Sequence, residues 1–281
     1  MVQIPPSFST VDAIYQHYSD YRKDWRRPHL GASQIGKPCD RELWYQFRWA
    51  AEPEFPGRIL RLFDTGNLEE SRLVADLRNI GVEVYDRDPN APARQIRYSD
   101  PNGHFAGSLD GVGRGFIEAP KTWHVLEFKT SNTNNFKKIK GKGVKLAKPE
   151  HYAQMQMYMR WSGLKRAFYF CVCKDTDEIY SERVYAAPKV ADELTARANS
   201  IIFATDPPDR VSGCGRPYSG PCRFCTYRPV CLSGQAPVKS CRSCVHGAPL
   251  PSGGAWECER DNRELTFAEQ ETGCERYERR I

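Results

Sequence analysis

The sequence predicts an α/β protein with a mixed central sheet flanked by helices, followed by a Cys-rich, metal-stabilised C-terminal extension. Three observations lead there. The middle of the chain orders as helix, three strands, helix, two strands, helix. Gly and Pro turns separate its strands. The cysteines crowd into the last third, where C-x-x-C occurs twice. In a reducing compartment that usage points to metal rather than disulfides.

Residues 9–27 place Val11, Ile14, Tyr15, Tyr18 and Tyr21 at helical spacing, and Pro28 stops the pattern. Ser33 can cap a turn, and a second helix is expected from about Asp40 to Trp49. Residues 51–58 hold two Pro and a Gly and read as a loop. The clearest helix covers 60–81, with Leu73, Val74, Leu77 and Ile80 as one apolar stripe and Gly81 as its C′ residue. Residues 82–86, 104–112 and 123–131 read as strands. The polar stretch 132–148 follows, with six lysines and two glycines between 137 and 148, and reads as a long structureless loop. Pro149 opens a helix at the favoured first-turn position. Residues 165–174 and 178–186 are expected as a hairpin, 189–204 as a helix, and Gly234 and Pro237 mark a linker.

Apolar and charged fractions of 40% and 27% are those of a globular chain, and 281 residues suffice for one large domain or two smaller ones. No apolar run reaches the ~18 residues of a membrane span, and the start does not resemble a secretory signal. A soluble cytoplasmic protein without membrane contact is expected. The formal charge of +6 counts every Cys as neutral. Two four-thiolate metal sites would lower it to about +2, so nucleic-acid binding has to come from a local basic patch.

In residues 123–131 side chains alternate between faces. Leu126 and Phe128 point to a core, and Glu127 and Lys129 share the other face. Asp110 ends the preceding strand, between Gly107 and Gly111, where a hairpin can bring it beside Glu127. Phosphodiester hydrolysis needs a cation to polarise the phosphate and acidify a water, and Mg²⁺ takes hard oxygen ligands. Asp110 and Glu127 offer carboxylates and the Phe128 carbonyl a backbone oxygen. Lys129 can orient the water or stabilise developing charge.

Asp110 followed by Glu127-Phe128-Lys129 resembles the D…(D/E)-x-K motif of the PD-(D/E)XK nuclease superfamily. Gln154 and Tyr158, one helical turn apart, resemble the Q-x-x-x-Y element of its RecB-like branch, and Gly66-x-x-x-Glu70 resembles the G-x-x-x-(H/E) element that supplies a further metal ligand. Glu69 is adjacent to Glu70, so the register could differ by one. His104 is a lesser candidate and reads as structural. The resemblance implies a restriction-endonuclease-like core and an Mg²⁺- or Mn²⁺-dependent DNA nuclease of exonuclease type. Asp110, Glu127 and Glu70 are then the metal ligands, Lys129 the assistant to the water, and Gln154 and Tyr158 the positioning residues.

Cys222-x2-Cys225-x5-Cys231 has thiolate spacing for zinc or iron–sulfur and lacks a fourth ligand. Cys214 is the near candidate and would make a local zinc-like site. Cys39, in the stretch Ser33…Cys39-Asp40-Arg41…Trp44-Tyr45, is the distant one. That arrangement resembles the iron–sulfur RecB-like nucleases, which include CRISPR-adaptation nucleases and AddB-type subunits. It implies a 4Fe–4S cluster on Cys39, Cys222, Cys225 and Cys231 that staples the two ends of the core, and partners in recombination, replication or CRISPR-type assemblies. Beyond the linker, Cys241, Cys244, Cys258 and Cys274 form a second set for which zinc is expected, with His246 able to replace one ligand. The tail is similar to Cys-rich extensions on some phage-encoded nucleases. Cys171 and Cys173 alternate on a strand and read as sheet residues.

The expected organisation is a nuclease domain over residues 1–232 and a small zinc module over 233–281. The lysine-rich stretch, Lys137, Lys138, Lys140, Lys142, Lys145 and Lys148, is expected to meet DNA phosphates without regard to sequence. Trp25, Trp44, Tyr45 and Trp49 are available to stack on bases, with packing as their competing role. The alternative to an enzyme is a non-catalytic, zinc-stabilised DNA-binding or assembly protein.

Overall fold

A computed structural model describes residues 9–20, 26–215 and 220–280. Its elements are α1 (Thr10–Asp20), β1 (Leu30–Gly31), α2 (Asp40–Phe47), α3 (Gly57–Asn79), β2 (Glu83–Tyr85), β3 (Arg97–Ser99), β4 (Phe105–Ser108), β5 (Gly111–Arg114), β6 (His124–Ser131), α4 (Thr133–Ala147), α5 (Pro149–Ser162), β7 (Arg166–Cys173), β8 (Ile179–Tyr185), α6 (Pro188–Ile202), α7 (Arg228–Ser233), β9 (Gly247–Pro249), β10 (Trp256–Cys258), β11 (Arg263–Leu265) and α8 (Phe267–Thr272). The expected mixed α/β architecture and Cys-rich C-terminal region are both present. No helix among the described residues is long and apolar enough to cross a membrane. Tyr21 and Trp25 lie outside the described residues.

The central sheet has five strands in the order β2-β5-β6-β7-β8. β6 runs parallel to β7, and every other pair is antiparallel. Alternation gives each face its own core. Leu126, Phe128, Phe168, Phe170 and Val172 pack with Leu73, Val74 and Leu77 of α3 on one face. Val125, Ala167, Tyr169 and Cys171 join Met155, Met159, Ile139 and Ile201 on the other, where α4, α5 and α6 lie. Cys171 and Cys173 are buried strand residues, as expected. A smaller sheet, β1-β4-β3, packs beside the first, and the C-terminal segment builds a third, β11-β10-β9. Trp256 and Leu265 of that segment join the main core.

Four expectations are corrected. Residues 104–112 do not form one strand. The chain leaves the small sheet after Ser108 and enters the large one at Gly111, with the Leu109 N–H donating to the Ile96 carbonyl between them. The strand Arg97–Ser99, which pairs with β4, was not expected. Ile80 is not in the α3 stripe: it is 69% exposed, because the helix ends at Asn79 and Ile80 turns outward as the C-cap.

The fourth correction is the lysine-rich stretch, which is helical. The Asn132 side chain caps α4 by accepting from the Asn135 N–H at 3.0 Å. Phe136, Ile139 and Val144 are its buried stripe. The helix kinks at Gly143, whose φ of 72° is glycine's region, and the next N–H donates to Glu182 at 2.7 Å. Most of the lysines lie on the exposed face, Lys140 pairs with Glu178, and Lys148 lies 3.6 Å from Glu150. Trp44, Tyr45 and Trp49 are buried, with the two indole N–H groups donating to the Ala204 and Arg27 carbonyls, so packing is their role.

Candidate active site

The site forms where β5, β6 and α3 meet. β5 pairs with β6 in a register that sets Gly111 against Leu126, which places Asp110 next to Glu127. The Phe128 N–H donates to Asp110 Oδ2 at 2.7 Å, and Lys129 Nζ lies 3.7 Å from the same oxygen. Lys129 also contacts Glu127 Oε1 and donates to the Phe128 carbonyl at 3.0 Å. Asp110, Phe128, Lys129, Glu70, Phe63 and Lys174 line one cleft of about 390 Å³. Glu69 lines the same cleft beside Glu70. Glu70 interacts electrostatically with Asp110 and Lys129, whereas Glu69 turns to Arg72 at 3.5 Å.

Glu127 is fully buried, and neither carboxylate oxygen has a well-formed hydrogen bond despite the close Lys129 ammonium. Burial pushes its carboxyl up to about 8; Lys129 opposes the shift and Asp110 adds to it. Burial, reinforced by Asp110, pushes Glu70 up to about 7. Burial works against the Lys129 charge, but Glu127 and Asp110 outweigh it and hold the ammonium protonated. Three carboxyl groups and one ammonium leave an excess of negative charge when all are ionised, which a divalent cation offsets. Among the described residues no group of three or more His, Cys, Asp or Glu side chains is arranged to hold a metal ion. Mg²⁺ does not need one, since it typically takes one or two carboxylates and completes its shell with water and substrate phosphate. Glu127 Oε2, which has no hydrogen-bond partner, and the carboxylates of Asp110 and Glu70 are hard oxygen donors of the kind such an ion takes.

Behind the cleft, the Tyr158 hydroxyl donates to the Ser108 carbonyl at 2.7 Å, and Gln154 Nε2 donates to the Tyr158 oxygen at 3.2 Å. Both side chains are buried. Burial raises the Tyr158 phenol well above its usual range, so it remains a donor. Residue 107 has to be glycine here, because a Cβ would sit 2.7 Å from Tyr158 Cε1 and 2.8 Å from its hydroxyl. His151 was not anticipated, although it shares the α5 face of Gln154 and Tyr158. Burial, with Lys129 and Lys148 nearby, lowers it to about 3, and Nδ1 lies 3.0 Å from the Tyr169 hydroxyl. His104 is structural, as expected: it is buried against Phe47 and Trp256, and its Nε2 meets the Leu250 carbonyl at 2.9 Å.

The first cysteine set gathers at a separate place. Cys39, at the N-cap of α2, and Cys214, Cys222, Cys225 and Cys231 line one cavity of about 20 Å³. Cys214 and Cys222 form a disulfide, with Cα atoms 5.7 Å apart, and Cys39, Cys225 and Cys231 are free thiols. The cysteine usage pointed to metal rather than disulfides, and this pair departs from that expectation, with its Cα atoms within bridging range.

No protein-family model and no curated protein matches the chain. Among solved structures the chain is similar to LHK-Exo, an alkaline exonuclease from Laribacter hongkongensis, at 21% identity over 63% of this chain and 89% of that one, with a TM-score of 0.44. LHK-Exo in complex with dAMP is similar at 20% identity over 63% and 87%, again with a TM-score of 0.44. A phage-related exonuclease from Haemophilus somnus is similar at 13% identity over 66% and 94%, with a TM-score of 0.42. Likeness at this level leaves the chemistry to be argued from the side chains.

Proposed function

We propose that the chain is a metal-dependent deoxyribonuclease that hydrolyses phosphodiester bonds in the cleft between α3 and β6. The observation that carries this reading is the convergence of Glu70, Asp110 and Lys129 on one cleft, with the fully buried Glu127 beside it, paired to Lys129 and interacting electrostatically with Asp110 and Glu70. Asp110 and Glu127, with Glu70, would hold Mg²⁺ or Mn²⁺, and the ion would polarise the phosphate and acidify a water. Phe128 fixes one Asp110 oxygen through its N–H and leaves the other for a ligand. Lys129 donates charge at the position where negative charge grows on the phosphate. Tyr158 ties down the Ser108 carbonyl two residues before Asp110, and Gln154 orients Tyr158. The exonuclease mode is what the RecB-like resemblance implies.

DNA is the proposed substrate, held through its phosphates by the exposed lysine face of α4, which follows β6 directly. Protein partners in recombination, replication or CRISPR-type assemblies, and a cytoplasmic location, belong to the same reading. For the first cysteine set the proposal is a 4Fe–4S cluster on Cys39, Cys222, Cys225 and Cys231. The gathering of their side chains at one cavity supports it, and it requires the Cys214–Cys222 bond to be reduced. Anaerobic protein should then be brown with absorption near ~400 nm, and a colourless product would contradict the cluster.

Labelled single- and double-stranded DNA, incubated with Mg²⁺, Mn²⁺ or EDTA, tests the activity. Cleavage with either metal and none with EDTA is expected. Binding without cleavage under every condition would favour a non-catalytic DNA-binding protein.

A further inference from the structure

Outside the cleft, Cys241, Cys244, Cys258 and Cys274 line one cavity of about 20 Å³. They come from three places: the tight turn Cys241–Ser243 and the residue after it, the end of β10, and the chain just past α8. None is in a disulfide. The turn is tight. The Cys244 N–H donates to the Cys241 carbonyl at 3.3 Å, the Gly247 N–H to the Cys244 carbonyl at 3.2 Å, and a Cβ at residue 247 would overlap the Cys241 carbonyl.

His246, the other candidate ligand, also lines this cavity, but its Nε2 is taken by Arg260, 2.6 Å from Nη2, and lies 3.7 Å from Glu278. The set is therefore four sulfurs. Closing it on an ion requires the side chains to turn inward, because no group of three among the described residues is already arranged as a metal site. Four sulfurs without oxygen donors select a soft, tetrahedral ion, and zinc takes them at ~2.3 Å.

The turn that carries two of the cysteines is anchored on the rest of the chain. Arg242 lies inside the Cys241–Cys244 turn and is 1% exposed; Arg48, just past α2, is 2% exposed. Arg242 donates to the Phe47 and Pro28 carbonyls, at 3.2 and 3.1 Å, and to Gln270. Arg48 donates to the carbonyls of Arg242 and Gly247, both at 3.1 Å. The two guanidinium groups also lie over the Trp256 ring, at 4.6 and 5.4 Å. These bonds tie the Cys241–Cys244 turn to the end of α2 and to Trp256.

We propose that Cys241, Cys244, Cys258 and Cys274 bind one structural zinc ion, which fixes the turn that docks the C-terminal segment on α2. The reading is independent of the nuclease proposal. Strands of three residues around Trp256 and Leu265 are too small a core to order themselves, and the metal provides the missing cross-link.

The test uses the full-length chain expressed with zinc. Metal content is measured, and cysteine alkylation by iodoacetamide is mapped by peptide mass spectrometry before and after chelation. The expected result is one zinc per chain whose removal raises alkylation of all four cysteines together by about tenfold or more, as bound thiolates become free. Zinc-free protein, or labelling of the four that does not change when zinc leaves, overturns the proposal. A Cys244→Ser, Cys258→Ser chain provides a second readout wherever it is soluble: it is expected to lose the zinc, and undiminished zinc in it overturns the assignment.

Discussion

The Phe128 N–H donates to Asp110 Oδ2 at 2.7 Å, so the backbone of one strand aims the carboxylate of its neighbour. This bond is available because the chain changes sheets at Leu109 and Asp110, which takes Asp110 out of the β4 ladder and sets it against the middle of β6. The cleft therefore depends on how firmly that crossing point is held.

Tyr158 is the main restraint on it. Tyr158→Phe removes the donor to the Ser108 carbonyl and leaves a largely buried acceptor unpaired, at a cost of about 1–3 kcal/mol. Urea unfolding should show that loss. DNA cleavage should fall by roughly tenfold as Asp110 loosens, with substrate binding little changed. Wild-type stability and cleavage in this variant would show that the contact is incidental.

Glu69 and Glu70 both line the cleft but face different partners. Glu70→Gln should raise the Mg²⁺ or Mn²⁺ concentration needed for half-maximal cleavage by about tenfold or more, since one charged ligand is lost. Glu69→Gln should leave it unchanged, because that side chain serves Arg72. A metal titration of both variants checks this, and the reverse pattern would shift the motif by one residue.

The carboxyls also give a pH signature. Glu70 is raised to about 7 and Glu127 to about 8, so the folded chain holds protons that the unfolded chain releases near pH ~4.3. Metal-free protein then binds more protons folded than unfolded, and its stability falls as pH rises from there through about 8. A divalent cation binds the deprotonated groups and relieves the cost. The rise in Tm on adding Mn²⁺ should accordingly be larger at about pH 8.5 than at about pH 6. Equal shifts at both values would remove these carboxylates from the metal site.

The β6 strand was legible because its signal is local. Period-two alternation puts Leu126 and Phe128 in the core against α3, as expected, but the opposite face carries a core of its own, with Glu127 fully buried, and Phe128 lines the cleft beside Lys129. Gln154 and Tyr158 were legible for a similar reason, as one turn of a helix. Long-range placement was not. Nothing local in residues 104–112 says that the strand divides between two sheets. The α4 helix was hidden because Gly141, Gly143 and the lysines mask the Phe136, Ile139 and Val144 stripe, although the Asn132 cap was there to be read. His151 was missed because its significance comes from proximity to Lys129 and Tyr169, which the sequence does not state. The reciprocal packing of Arg48 and Arg242, 194 residues apart, is of the same kind.

The central claim is that Glu127 and Lys129 perform hydrolysis in the α3–β6 cleft. The most direct measurement is cleavage of end-labelled DNA with Mg²⁺ or Mn²⁺ by wild-type, Glu127→Ala and Lys129→Ala chains, each checked for native folding by near-ultraviolet circular dichroism. Wild type is predicted to cleave, and each folded variant to lose activity by more than about a hundredfold. Wild-type cleavage rates in either folded variant would contradict the account.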